Sequence, residues 1–212
     1  MTSTMECRET RALPEFAIDY GHEALSHNDD EREISLTFDG RGGTRWRTHV
    51  KFESGTFSAR ILTPEGDTSG LNTSFYLSSQ EGDNSQDEID FDFLGKDKTS
   101  VHTNYYSNGN GNHEMICKLN FDTSKAFHEY TIRWLPSRIE WLVDGKTIRF
   151  EEKREGDYFP QMPMYLYASL WNAGSIDNGR WAGPYSGSHA PYVCKYRDVR
   201  IPVHSHSKKP SQ

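Results

Sequence analysis

Short segments in which apolar and polar residues alternate follow one another along the chain, separated by Gly, Asn, Asp or Pro. A period of two is typical of β-strands, because successive side chains point to opposite faces. The pattern predicts strands at residues 33–38, 55–62, 74–77, 88–94, 101–106, 128–134, 138–143, 164–171 and 192–201. Asp144-Gly145 predicts a tight hairpin turn. No window of twelve or more residues has helical periodicity, so we expect an all-β fold of the sandwich or jelly-roll type.

The strand pattern runs without a linker-like change of composition. We therefore predict one domain at residues 14–203, with flexible segments at 1–13 and 204–212. Hydrophobic residues make up only 34% of the 212 residues, but aromatic residues reach 13%. This composition indicates a folded β domain with a ring-rich core. Trp134 and Trp141 lie in strongly apolar strand patterns, and we assign them to that core.

Charge and targeting signals limit the partners. The 24 basic and 31 acidic residues give a net charge of −7, which disfavours a nucleic acid partner. No run approaches the roughly 18 apolar residues of a membrane span, so no membrane partner is expected. The first eleven residues lack the apolar core of a signal peptide. This predicts a cytoplasmic protein, with an extracellular or cell-wall location as the alternative if a leader was removed or secretion is leaderless.

The three cysteines have neither metal-site nor redox spacing, and we expect buried or free thiols. The histidines show no ligand spacing either, so neither a metal nor another cofactor is expected. We expect a monomer.

The most informative segment is DEIDFDFLG at residues 87–95. On a strand its apolar residues share the core face, and Glu88, Asp90 and Asp92 share the other face. Three like charges in a row are unfavourable, and packing does not require them. A solvated strand face is one interpretation. The other is a retaining glycosidase, which needs two carboxyls about 5–5.5 Å apart, with the middle acid separating their pKa values.

Aromatic residues beside loops are candidates for stacking on sugar rings. Trp171 ends a strand before an Asn-Ala-Gly-Ser loop, and Trp181 lies within a Gly-rich loop. Binding residues are found disproportionately on loops, so these two indoles are better candidates than Trp134 or Trp141.

The segment at residues 87–95 resembles the active-site strand of glycoside hydrolase family 16, in particular that of the plant xyloglucan endotransglucosylase/hydrolases, which normally reads DEIDFEFLG. The resemblance spans residues 14–202, and the matching segments occur in family order. They are residues 57–61, 74–79, 103–106, 111–114, 127–130, 141–145 and 169–173.

The resemblance implies a jelly-roll β-sandwich with a concave glucan-binding cleft. By the same resemblance, Glu88 is the nucleophile, Asp90 a helper acid, and Asp92 holds the acid/base position. The residues implied to bind substrate are Tyr76, His102, Asn104, His113, Glu114, Trp171 and Trp181.

The chain departs from the family pattern at several points. Asp92 stands where Glu is usual, His102 where Gln is usual, and His113 where Arg is usual. The plant transglucosylases also continue beyond the point where this chain ends, so it is most similar to the short endo-glucanases of the family.

We therefore expect a retaining endo-β-1,4-glucanase that hydrolyses mixed-linkage β-glucan and xyloglucan, which are polysaccharides of the plant cell wall. One alternative is a xyloglucan endotransglucosylase. Another is a weakly active glucan-binding protein, since Asp92 is shorter than the usual acid.

Overall fold

The computed structural model describes residues 9–156 and 158–205. These residues form fifteen strands and two short 3₁₀ segments, His22–Ala24 and Ile176–Gly179. The first eight strands are β1 (Thr10–Ala12), β2 (Ala17–Tyr20), β3 (Leu25–Asn28), β4 (Glu33–Phe38), β5 (Thr44–Arg47), β6 (Gly55–Leu62), β7 (Leu71–Ser78) and β8 (Glu88–Leu94). The others are β9 (Ser100–Tyr106), β10 (Met115–Lys118), β11 (His128–Leu135), β12 (Arg138–Val143), β13 (Lys146–Glu152), β14 (Tyr165–Asn172) and β15 (Tyr192–Pro202).

The predicted all-β fold is confirmed, and each of the nine predicted strands is present. Asp144 and Gly145 form the predicted hairpin turn between β12 and β13, with φ angles of 49° and 75°. β13 is the second strand of that hairpin, and five further strands were not predicted: β1, β2, β3, β5 and β10. They have only three or four residues each, which is too short for an alternating pattern to stand out.

The strands form two antiparallel sheets. One has the order β13-β12-β11-β6-β15-β4-β3, with β1 paired to β15. The other has the order β10-β9-β8-β7-β14-β5-β2. Strands distant in sequence are neighbours in both sheets, as in a jelly roll. In the second sheet, β8 lies between β7 and β9.

The core lies between the two sheets. Trp134 and Trp141 on the first sheet are fully buried, which confirms their assignment to the core. Phe93 on β8 packs edge-on against Tyr130 on β11, with ring centroids 4.7 Å apart. Contacts of this kind fix the distance between the sheets and hold β8 against the core.

Part of the segment predicted to be flexible is a strand. Thr10–Ala12 pairs with the end of β15, from Arg200 to Pro202. This pairing corrects the prediction for those three residues, because their backbone groups complete a sheet edge. Residues 1–8 and 206–212 of the two predicted flexible segments lie outside the described residues.

Two further sequence expectations concern the cysteines and the membrane. Cys117 and Cys194 are buried free thiols, whereas Cys7 lies outside the described residues. Within residues 9–156 and 158–205, none of the helical segments has the length and apolar character to cross a membrane.

Candidate active site

The alternation along β8 places its acidic residues in a cleft. Ile89, Phe91 and Phe93 are buried in the core. The side chains of Glu88, Asp90 and Asp92 point to the opposite face. There they line a cleft of about 1030 Å³ on the second sheet. The predicted face of three acids therefore exists, and it faces a groove rather than open solvent.

The register of the sheet brings other predicted site residues beside these acids. Asp90 lies opposite Asn104 on β9 and Tyr76 on β7. Asp92 lies opposite His102 on β9. All of these residues line the cleft. They come together because residues directly opposite each other on adjacent strands share a face.

Glu88 and Asp90 form a coupled carboxyl pair. Burial raises the pKa of Asp90 well above its ordinary range, and the negative charges of Glu88 and Asp92 raise it further. The pKa of Glu88 is also raised, mainly by burial and then by the charges of Glu81 and Asp92. The hydrogen bond between the pair lowers the pKa of Glu88 and raises that of Asp90. When the pair holds one proton, that proton therefore resides on Asp90.

Asp92 has a different environment. Burial raises its pKa to about 6, while the hydrogen bond from Asn72 and the charge of His102 oppose this rise. The Asn72 amide donates to Asp92 Oδ1 at 2.7 Å. A carboxyl with a pKa near 6 can exchange a proton near neutral pH, as a general acid and base must.

His102, Glu114 and Trp181 form a hydrogen-bonded chain beside Asp92. Glu114 Oε1 lies 2.9 Å from His102 Nδ1 and accepts the indole N–H of Trp181 at 2.8 Å. These bonds lower the pKa of Glu114, with the bond from His102 as the largest cause. Glu114 therefore carries a negative charge and connects β9 to the loop that bears Trp181.

Two tryptophans form one wall of the cleft. The rings of Trp171 and Trp181 lie 6.3 Å apart at an angle of 35°. Both are partly buried and pack against a small apolar cluster that contains Leu94 and Ala173. This packing holds the rings in place, and their remaining surface lines the cleft. Such a wall is suited to the apolar faces of sugar rings.

An ion-pair cluster in the cleft was not predicted. Arg45 on β5 contacts Glu81, in the loop after β7, at 2.9 Å. Glu81 also accepts the hydroxyl of Tyr76 at 3.0 Å, and the guanidinium of Arg45 packs over the rings of Tyr20 and Tyr167. Neither Arg45 nor Glu81 lies in a segment with a sequence signal. The order β7-β14-β5 brings them together.

Asp87 fixes the entry to β8. Its buried carboxylate accepts the backbone N–H groups of Asn108, Gln161 and Met162 at 2.8–2.9 Å. One side chain thus ties two loops to the start of the acidic strand. The sequence pattern included Asp87 but assigned it no role.

One predicted site residue lies elsewhere. His113 does not line the cleft but stacks on the core-side residue Tyr105, with ring centroids 4.0 Å apart and an interplanar angle of 7°. The structure therefore does not bring His113 together with the other predicted site residues, and its substrate contact stays a prediction. The turn at residues 112–113 directs the imidazole away from the cleft, while Glu114 faces it.

Among the described residues, no group of three or more His, Cys, Asp or Glu side chains is arranged to hold a metal ion.

The sequence matches a known protein family. The family model for glycosyl hydrolases family 16 matches residues 13–189. A putative xyloglucan endotransglucosylase/hydrolase of Arabidopsis thaliana is 34% identical over 186 residues, which cover 86% of this chain and 62% of the relative. A xyloglucan endotransglucosylase/hydrolase of Brassica oleracea var. botrytis is 39% identical over 181 residues, which cover 80% of this chain and 59% of the relative. The chain thus spans about three fifths of the length of these two relatives.

Solved structures share the fold. The Bacillus licheniformis beta-glucanase superposes with a TM-score of 0.78 at 26% identity, covering 91% of this chain and 96% of its own. The apo Crh5 transglycosylase superposes with a TM-score of 0.74 at 25% identity, and the match covers 91% of this chain and 80% of the transglycosylase chain. The predicted jelly roll is therefore confirmed by its structural neighbours.

Proposed function

This chain belongs to glycosyl hydrolases family 16, and on that premise we propose that it is a retaining endo-β-1,4-glucanase. Its proposed substrates are mixed-linkage β-glucan and xyloglucan. One observation carries the proposal. Three carboxyls of a single strand, each in a different hydrogen-bonding environment, line an open cleft with a tryptophan wall. An open groove accommodates a long polymer, and the acids supply the two roles of a glycosidase.

In the first step Glu88 attacks the anomeric carbon of a bound glucosyl unit. The glycosidic C–O bond breaks, and its electron pair stays on the leaving oxygen. Asp92 donates a proton to that oxygen. This assignment fits the pKa of Asp92, which burial raises to about 6. The product is a covalent glycosyl-enzyme on Glu88.

In the second step Asp92 takes a proton from a water molecule. The water oxygen attacks the anomeric carbon, and Glu88 leaves as a carboxylate. Two displacements at one carbon retain the β configuration. Asp90 acts as the helper by donating a hydrogen bond to Glu88, which stabilises the carboxylate before attack and after release.

Transglycosylation is the second candidate activity. The relatives are named for both transglucosylase and hydrolase activity, and one structural neighbour is a transglycosylase. In that reaction a sugar hydroxyl takes the place of water in the second step. The indole wall of Trp171 and Trp181 offers such an acceptor a surface for stacking.

The proposed substrates favour one location. Xyloglucan, which is part of the relatives' names, is a polysaccharide of plant cell walls. We therefore place the protein at the wall, which was the alternative to the cytoplasm. The monomeric state stays a prediction.

The test is a substrate panel with product analysis. Purified protein is incubated with mixed-linkage β-glucan, xyloglucan and labelled xyloglucan oligosaccharides. We expect new reducing ends with the β configuration, observed by NMR at early times. Label incorporated into long polymer would indicate transglycosylation instead.

Glu88→Ala is expected to abolish turnover, and Glu65→Ala, at an exposed glutamate that pairs with Lys125, serves as the matched control. Full activity of Glu88→Ala would exclude the nucleophile assignment. Binding to long glucans without new reducing ends would support a non-catalytic binding protein.

A further inference from the structure

Asp92 and His102 face each other across the β8–β9 pair. Both line the cleft, although only 5% of the His102 surface is exposed. Directly opposite residues on one face have Cβ atoms about 4.5–5.5 Å apart. A nearly buried imidazole thus lies beside the carboxyl that the proposed mechanism uses as acid and base.

The position of His102 is set by Glu114. Nδ1 of His102 lies 2.9 Å from Glu114 Oε1, and this contact fixes the orientation of the ring. Trp181 donates to the same carboxylate oxygen, which holds Glu114 from the other side. A carboxylate that is hydrogen-bonded to an imidazole holds the ring in one orientation.

Asp92 is held from the opposite direction, since the Asn72 amide on β7 donates to its Oδ1 at 2.7 Å. The acidic groups around this pair are Glu88 and Asp90 on β8, Glu81 after β7, and Glu114 before β10. The cationic groups that face them are His102 itself, Lys96, which acts on Glu114, and Arg45, which contacts Glu81; Arg180 also lines the cleft. Ionising Asp92 therefore adds a negative charge beside these carboxyls, and His102 is the cationic group directly opposite it on β9.

We propose that His102 is a positioning residue of the reaction: held by Glu114, it stabilises the ionised form of Asp92 in every catalytic cycle. The inference rests on the proposed function, in which Asp92 loses its proton to the leaving oxygen and regains one from water. The charge of His102 opposes the effect of burial on the pKa of Asp92, which agrees with this role.

The test compares His102→Gln with the wild type. Glutamine keeps a donor for Glu114 but cannot carry a positive charge. NMR of the Asp92 side-chain carboxyl carbon follows its titration directly. We expect the midpoint to rise by about one pH unit in His102→Gln, the size of shift expected when an opposite charge is removed at close range. The basic limb of the kcat/KM profile on β-glucan is expected to move in the same direction.

His113→Gln is the matched control, because His113 stacks on Tyr105 outside the cleft. It is expected to leave the Asp92 midpoint unchanged. If His102→Gln does not fold, His102→Asn, which is smaller, is expected to give the same upward shift. An unchanged midpoint in a folded His102 variant, or an equal shift in His113→Gln, would overturn the inference.

The two proposals can fail separately. If the wild type hydrolyses no glucan, the proposed function is wrong, whereas the NMR titration still decides whether His102 stabilises ionised Asp92. If the wild type is active and the titration does not move, only the role of His102 is wrong.

Discussion

The indole N–H of Trp141 donates a 2.9 Å hydrogen bond to the backbone carbonyl oxygen of Asp90. Trp141 belongs to β12 in one sheet, and Asp90 belongs to β8 in the other. The fully buried core residue therefore holds the backbone of the acidic strand from behind. This bond connects the stability of the sandwich to the placement of the acids in the cleft.

Trp141→Phe is expected to lower both stability and activity. The variant loses the hydrogen bond to the Asp90 carbonyl and part of a packed ring, at a cost of about 1–3 kcal/mol in the free energy of unfolding. Displacement of β8 is expected to reduce kcat roughly tenfold. Urea unfolding and initial rates on β-glucan measure the two effects.

Trp134→Phe is the control, because its indole donates to the carbonyl of Pro160 and not to β8. A comparable loss of stability with unchanged kcat is expected there. An equal fall in kcat for both variants would show that the hydrogen bond from Trp141 does not position the acids of β8.

Asp87→Asn is expected to destabilise the fold. In asparagine, an NH₂ group replaces one carboxylate oxygen. This donor then faces backbone N–H groups that donate hydrogen bonds to Asp87 in the wild type. Leaving buried donors without an acceptor is expected to lower the free energy of unfolding by about 2–3 kcal/mol. Asp83→Asn, at a half-buried aspartate in the loop before β8 that accepts hydrogen bonds from Ser85, is expected to change stability less. Equal unfolding midpoints for the two variants in urea would contradict this role of Asp87.

Asp92→Glu is expected to raise the rate. The added methylene moves the carboxyl about 1.5 Å further into the cleft, and misplacements of this size change rates by up to about a hundredfold. We therefore expect kcat/KM on β-glucan to rise by on the order of tenfold to a hundredfold. Asp90→Glu makes the same change at a buried position, where the larger side chain is expected to reduce activity. A fall in kcat/KM for Asp92→Glu would indicate that the site is built around the shorter acid.

The pH dependence of stability follows from the environment of Asp92. Burial raises its pKa from an ordinary value of 3.8 to about 6, so the folded state holds the proton more tightly than the unfolded chain. Stability contributed by the protonated acid is therefore lost as the pH rises from about 4 through 6. Asp92→Asn cannot ionise, and is expected to be more stable than the wild type at pH 8 by on the order of 1–3 kcal/mol. Urea unfolding at several pH values measures this difference.

Asp97→Asn provides the opposite case. The hydrogen bond from Lys118 is the largest cause that lowers the pKa of Asp97. This carboxylate stabilises the fold above the ordinary aspartate range, and the contribution is lost as the pH falls through the lowered pKa. Asp97→Asn is therefore expected to be less stable than the wild type at pH 7, and the difference should shrink in acid. A gain in stability at pH 7 for Asp97→Asn would contradict the stabilising role of the ionised Asp97 carboxylate.

The sequence was sufficient to predict most strands and the face on which the acids lie. Alternation is a property of the extended backbone, so Glu88, Asp90 and Asp92 had to share one side of β8 once that strand was recognised. The Asp-Gly pair identified the hairpin at Asp144, and the apolar strand pattern identified the core position of Trp141. Alternation did not apply to His113, because the direction of a side chain in a turn follows from the turn itself and not from a period of two.

Tertiary structure decided what surrounds the acids. Arg45 and Glu81 are 36 positions apart in sequence, and the order β7-β14-β5 brings them into contact. The register of β8 with β9 places His102 opposite Asp92, while the loop after β14 brings Trp181 to Glu114. Side-chain alternation depends only on neighbouring backbone units, whereas sheet order, register and burial depend on how the whole chain packs. The sequence therefore determined which residues share a face, and the packed fold determined their partners, their charge and the cleft between them.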